Sequence, residues 1–521
     1  MTQPYPPPPG TAGYAPEVPW RRLDPRMLLV HPVVELVKFL PVLVGIFVLG
    51  SNGNQGWWQL FGVAIPIGLG IMRFLTTTFR ITPTQIELQR GLIGRKVLTA
   101  RLDRVRAVEL TSTPMHRILG LAKVEVGTAS GAKQDDDKFA LDGLPLDEAR
   151  HLRVALLHRV DADAVSPPLL ANYDGSGPTT GNSPAKAGIG AAVEDEQLLT
   201  FDPGWVRYAP LTSSGSVIAA GVIAALGQFS DQIGSRLFND PEVRHTVEHL
   251  SIAAAILLAL AAFLVLGAVF SVLGYLVTNW GFSLARDSRG RTFHVRRGLL
   301  TSTETSLERE RVRGLSVDEP IGLRLAHAGR LYAIVTGVSK KEAGRTQLVP
   351  PAPRTVIDDT GTRVLEHAEP LTLPLVQHGA AARRRRWTRA LLGALVLPVV
   401  AVVLALTTPV PGWVVLPALA ALPVGAALAV DRYRRLGHGL TDQHLVVRSG
   451  SLAGRRDIVQ RTGIIGWNLQ QSWFQRRAGL VTLVATTAAG TQAYAAIDVP
   501  EPLAIALAHD AVPGLVEPFL A

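Results

Sequence analysis

The chain has 521 residues, enough for several domains, and only 18% of them are charged while 47% are hydrophobic. Soluble proteins carry about 25% charged residues, so the deficit indicates membrane spans. The formal net charge of +10 fits either nucleic-acid binding or positive charge kept beside the ends of spans. The absence of cysteine excludes disulfides, thiolate nucleophiles and cysteine-ligated metals.

The first 19 residues are rich in Pro, Gly and Tyr. They lack the basic start and the apolar run of a signal peptide. We expect a disordered cytoplasmic tail at residues 1–19.

Six apolar stretches of about the length needed to cross a bilayer follow in three pairs. They are residues 33–50 and 57–75, 213–229 and 250–278, and 390–408 and 410–430. The stretch 250–278 contains no charged residue, whereas Glu35 and Lys38 lie inside the first. Six such runs in adjacent pairs favour membrane hairpins over buried helices of a soluble protein.

Arginines cluster outside the pairs, and the short loops within the first two pairs are uncharged or lean acidic. Because Lys and Arg are retained on the cytoplasmic side, this predicts six spans in the cell membrane with both termini cytoplasmic. The flanking arginines are Arg21, Arg22, Arg26, Arg73, Arg80, Arg286, Arg289, Arg291, Arg383, Arg384, Arg385, Arg386, Arg389, Arg432, Arg434 and Arg435.

A repeated unit accompanies each pair. Arg-Gly-Leu, Arg-Val-Arg and a later arginine keep one constant offset between the first two copies, and the third copy is more diverged. An Asp-Pro element precedes the first two pairs, at Asp24 and Asp202, and is not evident before the third. The recurrent arginines are Arg90, Arg297 and Arg448, then Arg104, Arg311 and Arg461, and then Arg117, Arg324 and Arg476.

The segment after each pair reads as short strands closed by a helix. In the first copy, alternation and turn residues predict strands at residues 79–89, 95–102, 105–112, 123–127 and 138–141. Leucines at helical spacing after Pro145 predict a helix over residues 145–159. This pattern indicates a small capped barrel or sandwich.

Residues 82–92, the Arg-Val-Arg strand and the Pro-Met-His-Arg-Ile-Leu-Gly-Leu-Ala segment 114–122 resemble the bacterial pleckstrin-homology (PH-like) domain family, in its multi-pass membrane branch. The resemblance implies a seven-stranded split barrel with a C-terminal helix, although the pattern alone gives fewer than seven strands. The expected fold class is an α+β membrane protein with six transmembrane helices in three hairpins, each followed by a PH-like module.

The expected domains follow from these boundaries. They are a tail (1–19), hairpin 1 (20–78), module 1 (79–160), a flexible linker (161–198), hairpin 2 (199–279), module 2 (280–370), a basic linker (371–388), hairpin 3 (389–431) and module 3 (432–521).

Enzyme motifs such as His-Glu-x-x-His, a Walker loop or Gly-x-Ser-x-Gly are not found, so we expect neither an enzyme nor a cofactor. The Asp135-Asp136-Asp137 run fits a Mg²⁺ or Ca²⁺ site or, more simply, a solvated turn. His245 and His249 could pair on a metal, but they have no clear third ligand beyond Glu242 or Glu248.

The nine recurrent arginines are candidate contacts for anionic headgroups or a partner, or else ordinary contacts within the fold. Two functions stay open: a membrane scaffold that binds lipids or another membrane or cytoplasmic protein, and a transporter or membrane enzyme handling amphiphiles. The spans hold almost no ionisable residues, which favours the scaffold. Nucleic acid is excluded as a partner because the basic residues cluster beside spans without an aromatic-rich motif.

Overall fold

The computed structural model describes residues 19–30, most of 64–82, 84–90, 96–101, 105–128, 139–158, 195–212, parts of 217–221, 251–336 and 345–516. The chain forms two compact units, one reaching to Ser183 and the other beginning at Pro184, apart from a short exchange at Ala129–Gly131. The predicted span 33–50, most of the spans 57–75 and 213–229, and the Asp135 and His245 motifs lie outside the described residues.

The first unit holds a four-stranded and a three-stranded antiparallel sheet. The four strands, in sheet order, are β1 (Arg21–Arg22), β2 (Thr78–Ile81), β3 (Gln85–Arg90) and β4 (Lys96–Arg101). The three are β5 (Val105–Ser112), β6 (Leu121–Thr128) and β7 (Phe139–Pro145), with helix α1 (Pro114–Leu119) between β5 and β6, and helix α2 (Leu146–His158) after β7. Buried side chains of both sheets and of α2 form one core.

The seventh strand of this module comes from upstream of the first apolar pair. Arg21 and Arg22 of β1 pair with Phe79 and Thr78 of β2, so the segment holding that apolar pair is inserted between the first and second strands. This explains why the Asp-Pro element belongs to the repeat. Asp24 accepts from the backbone of Arg26 and donates its own N–H to Gly143, which ties this segment to β7.

The predicted single strand over residues 79–89 is wrong, because the chain folds back on itself there as β2 and β3. The Thr82 hydroxyl donates to the Gln85 carbonyl at 2.7 Å and accepts from the Gln85 N–H at 3.1 Å. A threonine side chain that bonds a backbone group nearby competes with the strand ladder and closes a turn.

The second module repeats this architecture. Its strands are β8 (Glu196–Thr200), β9 (Ser283–Arg286), β10 (Thr292–Arg297) and β11 (Ser302–Glu308), then β12 (Val312–Pro320), β13 (Ala328–Val335) and β14 (Arg345–Pro353). Its helices are α3 (Ile252–Asn279), α4 (Ile321–Leu325), α5 (Arg354–Leu365) and α6 (Glu369–Thr372). Strand β8 again precedes an apolar helix and pairs with β9 after it. It begins at Glu196, inside the expected linker 161–198.

The third module contains β15 (Gly437–Leu440), β16 (His444–Ser449), β17 (Ala453–Gln460), β18 (Ile464–Gln470), β19 (Leu480–Thr487) and β20 (Ala493–Pro500). Its helices are α7 (Gly379–Thr407), α8 (Val415–Leu419), α9 (Ala421–Arg434), α10 (Trp473–Arg477), α11 (Glu501–Ala511) and α12 (Pro513–Val516). The leading strand is reduced to Val376, which bridges His438 of β15.

Three helical stretches of the described chain are long and apolar enough to cross a membrane: Leu257–Asn279, Gly379–Thr407 and Gly412–Arg434. Their most apolar windows are only 11–17% buried, so their surfaces need an apolar environment.

Helix α7 begins at Gly379, well inside the expected basic linker 371–388. Gly425 of α9 faces Ala390 and Ala394 of α7, where a Cβ on the glycine would lie 2.5 Å from the Ala394 Cβ. Small residues permit such close helix packing in a bilayer.

Modules 2 and 3 are joined by a continuous sheet. Strand β12 pairs with β17 from Gly314↔Val459 to Pro320↔Ala453, which makes one six-stranded sheet in the order β14-β13-β12-β17-β16-β15. We call this pairing the seam. Asp318 binds Arg345 and Arg455, each at 3.2 Å, and the Ser316 hydroxyl donates to Asp457 at 2.6 Å. The hydrogen-bonded seam makes the two modules one body.

Candidate functional site at the helix-proximal end and the β18 edge

The end of each module where apolar helices join it, here called the helix-proximal end, gathers two recurrent sequence elements. In module 2, the Arg-Gly-Leu turn lies on the end of α3, since the N–H groups of Gly298 and Leu299 donate to Trp280 and Val277. Leu299 and Leu300 are exposed beside this contact. The turn cannot hold a side chain at Gly298, where φ is +110° and a Cβ would meet the Thr301 carbonyl oxygen.

The second element is the short helix that joins the fifth and sixth strands of each module, α1, α4 and α10, here called the tip helix. Thr113 caps α1 by accepting from the His116 N–H, and Gly120 ends it in the left-handed region. Ser472 and Gln475 form a complete capping box on α10. These caps stabilise helices of five or six residues that would not persist alone.

Each tip helix contacts the segment that leads into its own apolar pair. Arg26 donates to the Leu119 carbonyl at the end of α1, at 3.0 Å. A Cβ on Gly322 of α4 would lie 2.4 Å from the carbonyl oxygen of Leu211. Arg385 of α7 donates to the Ser472 hydroxyl at 3.3 Å. The recurrence of this contact in all three modules makes it a property of the repeat.

Asp498 anchors the third tip helix to α7. Its carboxylate is fully buried, binds Arg385, lies 2.7 Å from Arg386 Nη2 and accepts from Gln475 Nε2 at 2.9 Å. The residue has φ of +58°, a conformation in which Asp is more readily tolerated than most residues. Two arginines at the start of an apolar helix are thereby neutralised and held by the last strand of the module.

A buried histidine pair lies beside this carboxylate. His378 Nδ1 donates to the Ile497 carbonyl at 2.9 Å, so its Nε2 accepts from His438 Nδ1 at 3.0 Å. Burial, followed by the proximity of His378, lowers the pKa of His438 to about 4. Burial is also the main cause that lowers the pKa of His378. Both imidazoles are therefore neutral at neutral pH and serve as a polar core contact.

The nine candidate arginines divide into four groups. Arg117 and Arg476 lie exposed on tip helices, and Arg324 of α4 pairs with Asp431 at 2.9 Å. The side chains of Arg297 and Arg448 form hydrogen bonds within the helix-proximal end. Arg297 donates to the Gln347 side chain, and Arg448 donates to the Arg434 carbonyl. Arg90 ends β3 with its side chain undescribed, and Arg104 lies outside the described residues.

Arg311 and Arg461 lie at the opposite, distal end of their modules. Arg311 pairs with Glu308 at 2.5 Å. Arg461 donates to the carbonyls of Asp510 and Ala511, at 2.6 and 2.7 Å, and thereby caps the end of α11. Since β17 runs from the helix-proximal end to Arg461, eight strand residues at about 3.3 Å each separate this arginine from the tip. Both arginines serve the fold.

Strand β18 is the second candidate feature. In the described chain it pairs only with β19, so its other edge is open. The equivalent strand of module 2, β12, has that edge closed by β17. The seven residues of β18 carry no charge, Ile465 and Leu469 are exposed, and the buried Nε1 of Trp467 has no acceptor among the described residues.

The sequence pattern did not single out Asp498, the Trp473-Phe474 pair or β18. The adjacent aromatics beside Arg476 and Arg477 are a usable sequence signal for an exposed tip. In the described part of the chain, no group of three potential metal ligands converges.

Seven strands in two sheets, a closing helix and attached apolar helices define membrane proteins with PH-like modules. A family model described as bacterial PH domain matches the chain three times, at residues 33–160, 221–352 and 376–509. With more than half of its length matched, the chain belongs to the bacterial PH domain family.

The chain is also similar to UPF0699 transmembrane protein YdbT of Bacillus subtilis (strain 168), with 19% identity over 320 residues. The match covers 58% of this chain and 59% of that protein, so the chain spans less than two thirds of its relative. No solved structure matches the chain. The chain is thus a membrane protein with three bacterial PH domains.

Proposed function

We propose that this protein is a non-enzymatic scaffold of the cell membrane, with six spans in three hairpins and both termini and all three modules on the cytoplasmic side. Its docking site is the open edge of β18, which receives an extended strand of a protein partner. The observation that carries the proposal is the contrast between β18 and β12, since the same strand of the repeat is closed in module 2 and open in module 3.

The composition of β18 supports docking. Proteins protect open edges with charges, prolines or bulges that turn the edge away, because an unpaired strand recruits other chains. Beyond the bulge at its start, β18 has none of these, and it displays Ile465 and Leu469. Strand addition supplies main-chain hydrogen bonds for affinity, and alternate side chains supply specificity.

The attachment of the modules to their helices supports a scaffold. The seam fuses modules 2 and 3, and Asp498 holds the third module to the first turns of α7. A strand bound at β18 is therefore fixed in position relative to the apolar helix. The candidate membrane helices contain charged residues only towards their ends, which agrees with anchoring.

The test is site-specific photocrosslinking in cells, with benzoylphenylalanine at Leu469 and, as a control, at the exposed Ala493 of β20. We expect a discrete protein adduct at position 469 that is absent at 493. Ile465→Lys should abolish the adduct, because a charge opposes strand addition, whereas Thr491→Lys on an exposed turn should not. Equal adducts at 469 and 493, or an adduct that survives Ile465→Lys in protein of normal abundance, would refute edge docking.

A further inference from the structure

The three tip helices expose apolar side chains that the folded modules do not use. Ile118 of α1 is 79% exposed and Leu325 of α4 is 75% exposed. On α10, Trp473 and Phe474 are 61% and 69% exposed, and their rings contact each other edge to face. The identity of the residue changes from copy to copy, whereas the exposed apolar character is kept in each.

In module 3, the tip helix lies close to where the apolar part of α7 begins. Arg385, bonded to the cap of α10, precedes Ala390 by five residues, which is about 7 Å along a helix. The apolar part of α7 starts at Ala390. The polar layer on each side of a bilayer is about 5–8 Å thick. A helix held at Arg385 therefore lies at the depth of the headgroups when α7 spans the membrane.

The chemistry of the tips matches that layer. Trp is enriched at membrane interfaces because it combines an apolar ring system with a polar N–H. Arg477 stacks over the Trp473 ring at 5.2 Å, and Arg476 is exposed beside it, which places positive charge next to the apolar rings. In module 1, the exposed Arg117 directly precedes Ile118. Apolar side chains flanked by arginine bind anionic bilayer surfaces.

We propose that the tip helices are interfacial anchors, which insert Ile118, Leu325, Trp473 and Phe474 among the headgroups of an anionic bilayer. The anchors hold the modules flat against the membrane from which their hairpins emerge. This inference rests on the proposed membrane insertion of the hairpins and is independent of docking at β18. It gives the exposed Arg117 and Arg476 a headgroup role, one of the alternatives that the sequence left open for them.

The absence of cysteine allows a direct depth measurement on the full-length protein. Phe474→Cys and Ile118→Cys, each carrying a nitroxide spin label, are reconstituted in nanodiscs of phosphatidylcholine and phosphatidylglycerol. The control is Ala493→Cys, at the far end of the β19–β20 hairpin. We expect collisions with dissolved oxygen to exceed those with a water-soluble nickel chelate at positions 474 and 118, with the reverse at 493.

The outcomes separate this inference from the proposed function. Aqueous accessibility at 474 and 118 equal to that at 493 would overturn the anchors and leave edge docking untouched. Nanodiscs of pure phosphatidylcholine should reduce the oxygen preference at 474 at least twofold, and an unchanged value would overturn the anionic requirement. Trp473→Ala should shift the label at 474 towards water, whereas Trp413→Ala, on another exposed tryptophan, should not.

Discussion

At the residue scale, buried ionisable groups hold together the helix-proximal end of module 3, and neighbouring residues determine their protonation states. Asp498 remains buried because two arginines and an amide surround it. Breaking one partner out of a buried ion pair costs about 3–5 kcal/mol, so this carboxylate ties α7 to β20 strongly. His378 and His438 lie next to it as neutral imidazoles.

The same module contains ionisable groups whose shifted pKa values have opposite effects on stability at acid pH. Burial, with His367 as a lesser cause, lowers the pKa of His444 to about 4, as it does for His438. Burial raises the pKa of Asp457 to about 6, against the effect of its hydrogen bond from Ser316. A histidine whose pKa is lowered in the folded state makes that state less stable as the pH falls from about 6.5, the pKa of histidine in the unfolded chain, towards 4. A carboxyl whose pKa is raised in the folded state makes that state more stable as the pH falls over nearly the same range.

We predict that acid destabilises the unit of modules 2 and 3, since two strongly shifted histidines outweigh one carboxyl. Each pKa unit corresponds to about 1.4 kcal/mol, so each histidine removes about 3 kcal/mol between pH 6.5 and 4. The apparent melting temperature of the detergent-solubilised protein should fall from pH 7.5 to 4.5. Asp457→Asn removes the opposing carboxyl and should make the fall steeper. A melting temperature that is constant or rises towards acid would contradict this assignment.

At the element scale, the seam explains a glycine that the repeat does not otherwise require. Gly314 of β12 has φ of +152°, and a Cβ there would lie 1.9 Å from the Ile458 carbonyl oxygen of β17. The equivalent residue of module 3 is Gly466, after the same bulge, where a Cβ would have no neighbour within 4 Å. The two positions differ in that the edge of β12 is occupied.

We predict that Gly314→Ala destabilises the joined modules by about 3 kcal/mol, because the methyl group collides with the backbone of the facing strand. The matched control Gly466→Ala should change stability by less than about 1 kcal/mol. Scanning fluorimetry of both variants in detergent measures the difference as a loss of several degrees in the first alone. Equal melting temperatures would show that the seam does not limit stability.

How far the elements follow from sequence depends on the range of the contacts. The strand at 105–112, the helix after Pro145 and the apolar helix ending near Asn279 follow local patterns, and they are confirmed within a few residues. The pairing of β1 with β2 spans the inserted segment that holds the first apolar pair, and the seam joins separate modules, so neither leaves a local pattern. Arg461 resembled a surface contact because the helix end that it caps lies some 50 residues away.

At the scale of the whole molecule, the insertion of an apolar segment between the first two strands of a module constrains topology. Both ends of the inserted segment must return to the same module, since β8 pairs with β9 and Val376 pairs with His438. A two-helix insertion that spans the bilayer satisfies this requirement, whereas a single span would place paired strands on opposite sides. The strand pairing thus supports an even number of spans for each module.

We predict that all three modules share one side of the membrane, which single-cysteine labelling in whole cells tests directly. Asn54→Cys, in the uncharged loop of the first pair, should react with an impermeant maleimide in intact cells. Ala493→Cys, on module 3, should react only after permeabilisation. The cysteine-free parent supplies a background of zero specific labelling. Labelling of Ala493→Cys in intact cells would contradict the predicted orientation, because it would place module 3 on the outer side of the membrane. If Asn54→Cys is protected from labelling in both intact and permeabilised cells, its loop does not reach the outer surface, and the first hairpin does not span the membrane.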